Sequence, residues 1–202
     1  MKDFNLKETL LNPIFKGNPI SVLVLGICSS LAVTVQLKGA FVMGLSVIIV
    51  TGVSSLICSL LRNTIPNRIR IIVQLVVVAL MVILVDQVLK AYAYSVSKTL
   101  SVYVGLIITN CIVMGRIEAF ALGNKPIPSL LDGLANGFGY GMILVIVAFF
   151  RELLGSGTLF GFRVLPEAYV PNNLVILPPF ALILLGCIIW VQRAVDKDLQ
   201  EN

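Results

Sequence analysis

Uncharged apolar runs fill most of this chain, and their lengths decide its class. They cover residues 17–37, 39–61, 71–85, 99–115, 133–150 and 168–192. A helix crossing a hydrocarbon core of about 30 Å needs about 20 residues, with a range of about 17 to 25. Five of the six runs reach that length, and the run 71–85 continues past Asp86 as apolar sequence through Leu89. The pattern predicts six transmembrane helices, at approximately 17–37, 39–61, 71–89, 99–120, 133–150 and 172–192. In lipid only helices and closed barrels satisfy the backbone, and these runs are too long and continuous for barrel strands. The expectation is an all-α membrane protein with a single integral domain over 1–202. Ahead of the first run, Leu10, Leu11, Ile14 and Phe15 fall at helical spacing among Lys7, Glu8 and Lys16. That spacing predicts an interfacial segment over 1–16.

Six spans divide into two sets of three, and an odd number per set makes any repeat run in opposite directions through the membrane. A faint internal likeness fits a 3+3 inverted repeat. Cys28 leads to Ala40-Phe-Val-Met-Gly44, and Cys111 leads to Ala119-Phe-Ala-Leu-Gly123, with offsets that differ by four residues. The first and fourth spans read as broken helices. Gly, Ser, Asn and Thr gather around each cysteine, in Leu25-Gly-Ile-Cys-Ser-Ser-Leu31 and in Thr109-Asn-Cys-Ile-Val-Met-Gly-Arg-Ile-Glu118. Such segments suit short helices whose ends meet at mid-membrane, or simply close helix contact. Gly133, Gly137 and Gly141 recur every fourth residue, which predicts a packing face in the fifth span. Pro178 and Pro179 predict a kink in the sixth, whose regular part starts near Leu174.

Composition sharpens this picture. The chain is 58% hydrophobic and 12% charged, about half the charge of a soluble domain, and its mean hydropathy is +1.00. Histidine is absent, which excludes His-ligated zinc or haem, a Ser-His-Asp triad and an imidazole proton relay. The net charge of +5 reads as topology and not as nucleic-acid binding, because Lys and Arg lie between the spans. Ten of them fall on the side of both termini and five on the other, so the positive-inside rule puts both termini in the cytoplasm. The first run is too long for a signal-peptide core and lacks a clean cleavage site.

The candidate chemistry is sulfur. Cys28, Cys58, Cys111 and Cys187 are far apart in sequence, with no CxxC pair. Cys28 and Cys111 occupy the polar, broken contexts, whereas Cys58 and Cys187 read as packing residues. Two thiolates brought together would make a soft site suited to iron–sulfur, copper(I) or zinc, and would be half of the four that a [2Fe–2S] cluster needs. Four carboxylates border the spans. Asp86 has Lys90 at i+4, Glu152 neighbours Arg151, and Asp132 reads as a cap for the fifth helix. Glu118 is the exception, a candidate for an ion path or for site architecture. The loop Gly155-Ser-Gly-Thr-Leu-Phe-Gly161 matches no phosphate-binding motif and reads as a turn.

Three stretches carry a resemblance to a known family: Asn18-Pro with Leu25-Gly-Ile-Cys-Ser-Ser-Leu-Ala-Val-Thr34, Thr109-Asn-Cys-Ile-Val-Met-Gly-Arg-Ile-Glu-Ala-Phe-Ala121, and Leu177-Pro-Pro with Gly186 and Ile189-Trp190. Over essentially its whole length the chain resembles the D-type membrane subunits of sodium-translocating NADH:quinone oxidoreductases. The same superfamily holds the paired E subunit and homologous Rnf ferredoxin:NAD oxidoreductase subunits. The resemblance implies an inverted D–E pair in which each subunit supplies two cysteines, here Cys28 and Cys111, to one intramembrane [2Fe–2S] centre. It implies electron relay from the NADH-oxidising F subunit towards the flavin of the C subunit, quinone reduction and Na+ export. It further implies the A and B subunits as partners, FAD, FMN and riboflavin held by other subunits only, and a bacterial inner-membrane location. No complete active site is expected in this chain alone. A homologous Rnf E subunit, a small secondary transporter and a cofactor-free scaffold are the alternatives.

Overall fold

The computed structural model describes residues 18–66, 68–92, 105–159, 162–163 and 173–195. The interfacial segment expected over 1–16 and the start of the fourth span lie outside the described residues. The elements, in chain order, are α1 (Ile27–Val33), α2 (Leu37–Leu61), α3 (Arg70–Tyr92), α4 (Cys111–Arg116), a π-helical turn (Ile117–Ala121), α5 (Pro126–Gly155), β1 (Thr158–Leu159), β2 (Phe162–Arg163), α6 (Asn173–Ile176) and α7 (Pro178–Val195). Four of them, α2, α3, α5 and α7, are long and apolar enough to cross a membrane. The first span is no continuous helix. Hydrogen-bonded turns from Asn18 lead into the seven-residue α1. Residues 105–108 are helical and Thr109 and Asn110 break the path before α4.

The fifth helix is longer than the span expected within it. It runs from Pro126 to Gly155 and encloses 133–150. Its first turn tolerates Pro126 and Pro128, because N–H groups there have no intrahelical acceptor. Asp132 does not stop it, because Arg116 neutralises that charge. In α3 the expected pair forms, with Lys90 Nζ 2.5 Å from Asp86 Oδ2. The sixth span breaks as expected, into α6 and then α7 from Pro178. The glycine-rich loop, expected as a plain turn, forms a minimal antiparallel ladder, Thr158 opposite Arg163 and Leu159 opposite Phe162.

The core lies between α2 and α5, and backbone proximity builds it. A Cβ on Gly133 would lie 2.8 Å from the Thr51 carbonyl oxygen, and one on Gly137 would lie 2.8 Å from Ile48 Cα. Gly44 and Gly141 face each other, a Cβ on Gly44 falling 3.2 Å from Gly141 Cα. Lipid tails give apolar faces no incentive to leave them, so this close packing is what joins the two helices. By contrast, α3 and α7 bury few of their apolar side chains fully and expose Ile71, Ile72, Val76, Leu182 and Ile183 among others.

Candidate functional site

Cys28 and Cys111 each lie in the first turn of a half-helix. Cys28 follows Ile27 at the start of α1, behind the N-cap Gly26, and Cys111 opens α4 behind the N-cap Asn110. The preceding backbone explains why each helix starts there. Asn18 Oδ1 accepts from the Ile20 N–H at 3.0 Å and turns the chain. Val24 (φ 56) and Gly26 (φ 78) are both left-handed, a costly conformation for the β-branched valine and one that interrupts any helix. Asn110 is extended, and its Oδ1 accepts from the Ile112 N–H at 3.2 Å, the geometry of a side-chain N-cap. Both cysteines therefore sit at helix starts, whose N–H groups favour negative charge.

The two helix starts meet on Tyr140, a fully buried residue of α5. A Cβ on Gly26 would lie 2.8 Å from Ile112 Cδ1 and 3.1 Å from Tyr140 Cε2, so position 26 needs glycine for space as well as for its φ. The Tyr140 hydroxyl is 2.6 Å from Ser29 Oγ. Ser29 gives its one proton to the Gly26 carbonyl (3.0 Å) and accepts from Asn110 Nδ2 (3.2 Å), which leaves Tyr140 as donor in the bond to Ser29. Asn110 is thus joined to Tyr140 through Ser29. Both cysteines are exposed on the chain's surface.

The far ends of the half-helices are fastened to opposite ends of α5. At the end of α4, Arg116 Nε donates to Asp132 Oδ2 at 2.9 Å, a second guanidinium nitrogen reaches Oδ1, and Asn136 Nδ2 donates to Oδ1 at 3.1 Å. At the end of α1, Arg151 donates to the Leu31 carbonyl (3.1 Å) and to Thr34 Oγ1 (2.6 Å). The same guanidinium binds the carbonyls of Val175 and Ile176 in α6. Asp132 and Arg151 are nineteen residues apart, about 28 Å along a helix, and Tyr140 lies between them. Hence α1 and α4 start at one depth and run in opposite directions along α5.

These contacts correct two expectations. Asp132 does not cap the fifth helix; it lies in the second turn and pairs with Arg116, because α5 begins six residues earlier. Glu152 does not pair with its neighbour Arg151, since adjacent helical residues face apart; its carboxylate accepts from the Leu37 N–H and caps α2. Glu118 sits in the π-turn, bound by Arg70 and, at 2.8 Å, by Gln74 Nε2 of α3. Cys58 is fully buried in α2, and Cys187 lies on the outer face of α7. Among the described residues no group of three or more acidic, Cys or His side chains gathers to hold a metal. Asp132→Ala would strand the half-buried Arg116 and is expected to cost about 2 kcal/mol. Thermal unfolding in detergent checks this, with Asp132→Asn expected to retain part of the loss.

The sequence pattern marks neither Tyr140 nor Gly26 as part of the site, and it places Arg151 only beside Glu152. Tyr140 had a readable signal, a phenol amid the small and apolar residues of a membrane span, where a hydroxyl needs a partner. Arg151 had none, because its acceptors are backbone carbonyls distant in sequence.

The chain matches the model of the Rnf-Nqr family, described as an Rnf-Nqr subunit and membrane protein, over residues 6–189. It is 58% identical over 196 residues to the D subunit of the Na(+)-translocating NADH-quinone reductase of Aeromonas hydrophila, covering 95% of this chain and 93% of that one. The corresponding D subunit of Aeromonas salmonicida is equally similar, 58% over 196 residues with the same coverage. That of Pseudomonas paraeruginosa is 55% identical over 201 residues, with 97% and 90% covered.

Proposed function

This chain belongs to the Rnf-Nqr family of membrane subunits, and from that premise we propose that it is the D subunit of a sodium-translocating NADH:quinone reductase, with Cys28 and Cys111 as its share of the ligands of an intramembrane [2Fe–2S] centre. The observation that carries this reading is the meeting of two cysteine-bearing helix starts on Tyr140 and Ser29, with both thiols exposed. The donor set fits half of a four-thiolate site, with no third ligand beside it among the described residues. Exposure of both sulfurs on the chain's surface suits completion by a second subunit, the E subunit, from outside. The opposed directions of α1 and α4 support a 3+3 inverted repeat and an inverted pairing of the two subunits. Such a cluster, when bound, supplies a one-electron relay station between the two faces of the membrane.

The chain's own residues build the setting for that relay. Helix-start N–H groups offset thiolate charge where no water can. The Arg116–Asp132 and Arg151 anchors hold the half-helices against α5, and the apolar faces of α3 and α7 meet lipid or other subunits. The two partners of Glu118, Arg70 and Gln74, favour site architecture over an ion path for it. Both termini are read as cytoplasmic, in the bacterial inner membrane. The A, B, C, E and F subunits complete the complex, with the flavins FAD, FMN and riboflavin in those chains, and its electron flow from NADH to quinone drives Na+ export. Purification of the complex from membranes tests the reading. Co-purification of those five chains, with iron and acid-labile sulfide in equal amounts and an iron–sulfur EPR signal, is expected. A complex free of iron would overturn it, as would substrate uptake by this chain alone.

A further inference from the structure

Tyr140 stands where the two half-helices meet, on a stretch of α5 packed closely against α2. Gly137 and Gly141 on either side of it are in backbone contact with α2, and Asn18 Nδ2 reaches the adjacent Gly139 carbonyl at 3.4 Å. Its hydrogen-bond partner is Ser29, next to Cys28, and Ser29 in turn accepts from Asn110, next to Cys111. We propose that Tyr140, with Ser29 and Asn110, is the positioning group that fixes the relative placement of the Cys28 and Cys111 thiols and so tunes the iron centre they would hold. The inference rests on the two-cysteine reading above.

Three observations carry it. The hydrogen-bonded series Tyr140–Ser29–Asn110 spans both half-helices, so it ties together two segments 81 residues apart in the chain. Ser29 and Asn110 are each one residue from a cysteine, so a shift of either moves a sulfur. The three residues are also buried, Ser29 at 1% and Tyr140 and Asn110 at 0% exposure, where no water replaces a lost bond and an unpaired polar group is costly. Packing alone would be served as well by phenylalanine; the hydroxyl is needed for the tie. Hydrogen-bonded groups behind the ligands tune affinity and potential in metal sites generally.

The test uses the whole complex purified from membranes, carrying Tyr140→Phe or Ser29→Ala. Each variant is expected to assemble and to lose iron to a chelator about fivefold faster, the worth of one buried hydrogen bond. Each is also expected to show an altered EPR line shape and a displaced midpoint potential in a redox titration. Wild-type line shape, midpoint and iron-release rate in Ser29→Ala would overturn the proposal, whether or not Tyr140→Phe assembles. Cys28→Ala run beside them separates the two ideas. If it keeps full iron and the same signal, the two-cysteine reading fails; if it loses them while Tyr140→Phe and Ser29→Ala behave as wild type, only the positioning role fails.

Discussion

Cys28→Ala is expected to abolish the iron EPR signal and to lower NADH:quinone activity of the assembled complex by more than about 100-fold, and Cys111→Ala to do the same. The magnitude follows from rank among contacts. Loss of a residue behind a metal ligand costs about 10–100-fold, and loss of a ligand should exceed that. Either cysteine alone leaves this chain with a single thiol at the meeting point of α1 and α4, too few for half of a four-thiolate site. Cys58→Ala is the matched control. Its sulfur is fully buried in α2, away from both half-helix starts, so iron content and activity should stay near wild type. Metal analysis with EPR on membrane-purified complex decides the matter. Full iron in the Cys28 variant would sink the assignment.

Gly137→Leu is expected to destabilise the chain by more than about 4 kcal/mol, a range reserved for backbone clashes and comparable lesions. The atom it meets is Ile48 Cα, 2.8 Å from the added Cβ, and a backbone atom cannot rotate aside. The substitution would wedge α2 from α5 and shift Tyr140, less than one helical turn away, so the cysteine site should fail together with the fold. Gly186→Leu on α7 is the counter-case, since nothing lies within 4 Å of its Cβ, and it should accumulate as wild type. Complex yield in membranes and its thermal midpoint in detergent report both. Normal assembly of the Gly137 variant would show that the glycine face does not hold these helices.

The membrane class, the spans near α2, α3 and α7, the breaks around Cys28, Cys111 and Pro178, and the packing role of Gly133, Gly137 and Gly141 were all legible along the chain. These features follow from one-dimensional rules. Hydrocarbon thickness divided by helical rise sets run length, and proline, glycine and polar side chains disturb a helix locally. The choice of charge partners was not legible. Along the chain Asp132 reads as a cap, but its partner Arg116 is 16 residues away across the π-turn; Arg151 reads as a neighbour of Glu152, but it grips Thr34, 117 residues away. Such pairings depend on how helices cross, and i, i+4 spacing reports only partners on one helix.

By itself the sequence determined that this protein lives in the bilayer, that its helices break near two cysteines, and that it has no histidine to offer a metal. Only the tertiary structure decided that both breaks fall at the level of Tyr140, that α1 and α4 leave that level in opposite directions, and that a buried hydroxyl ties their starts together. The physical reason is that helix length and helix breaking are local properties of the chain. The relative depth of two breaks is set by how each half-helix is anchored to α5, and those anchors join residues up to 120 positions apart.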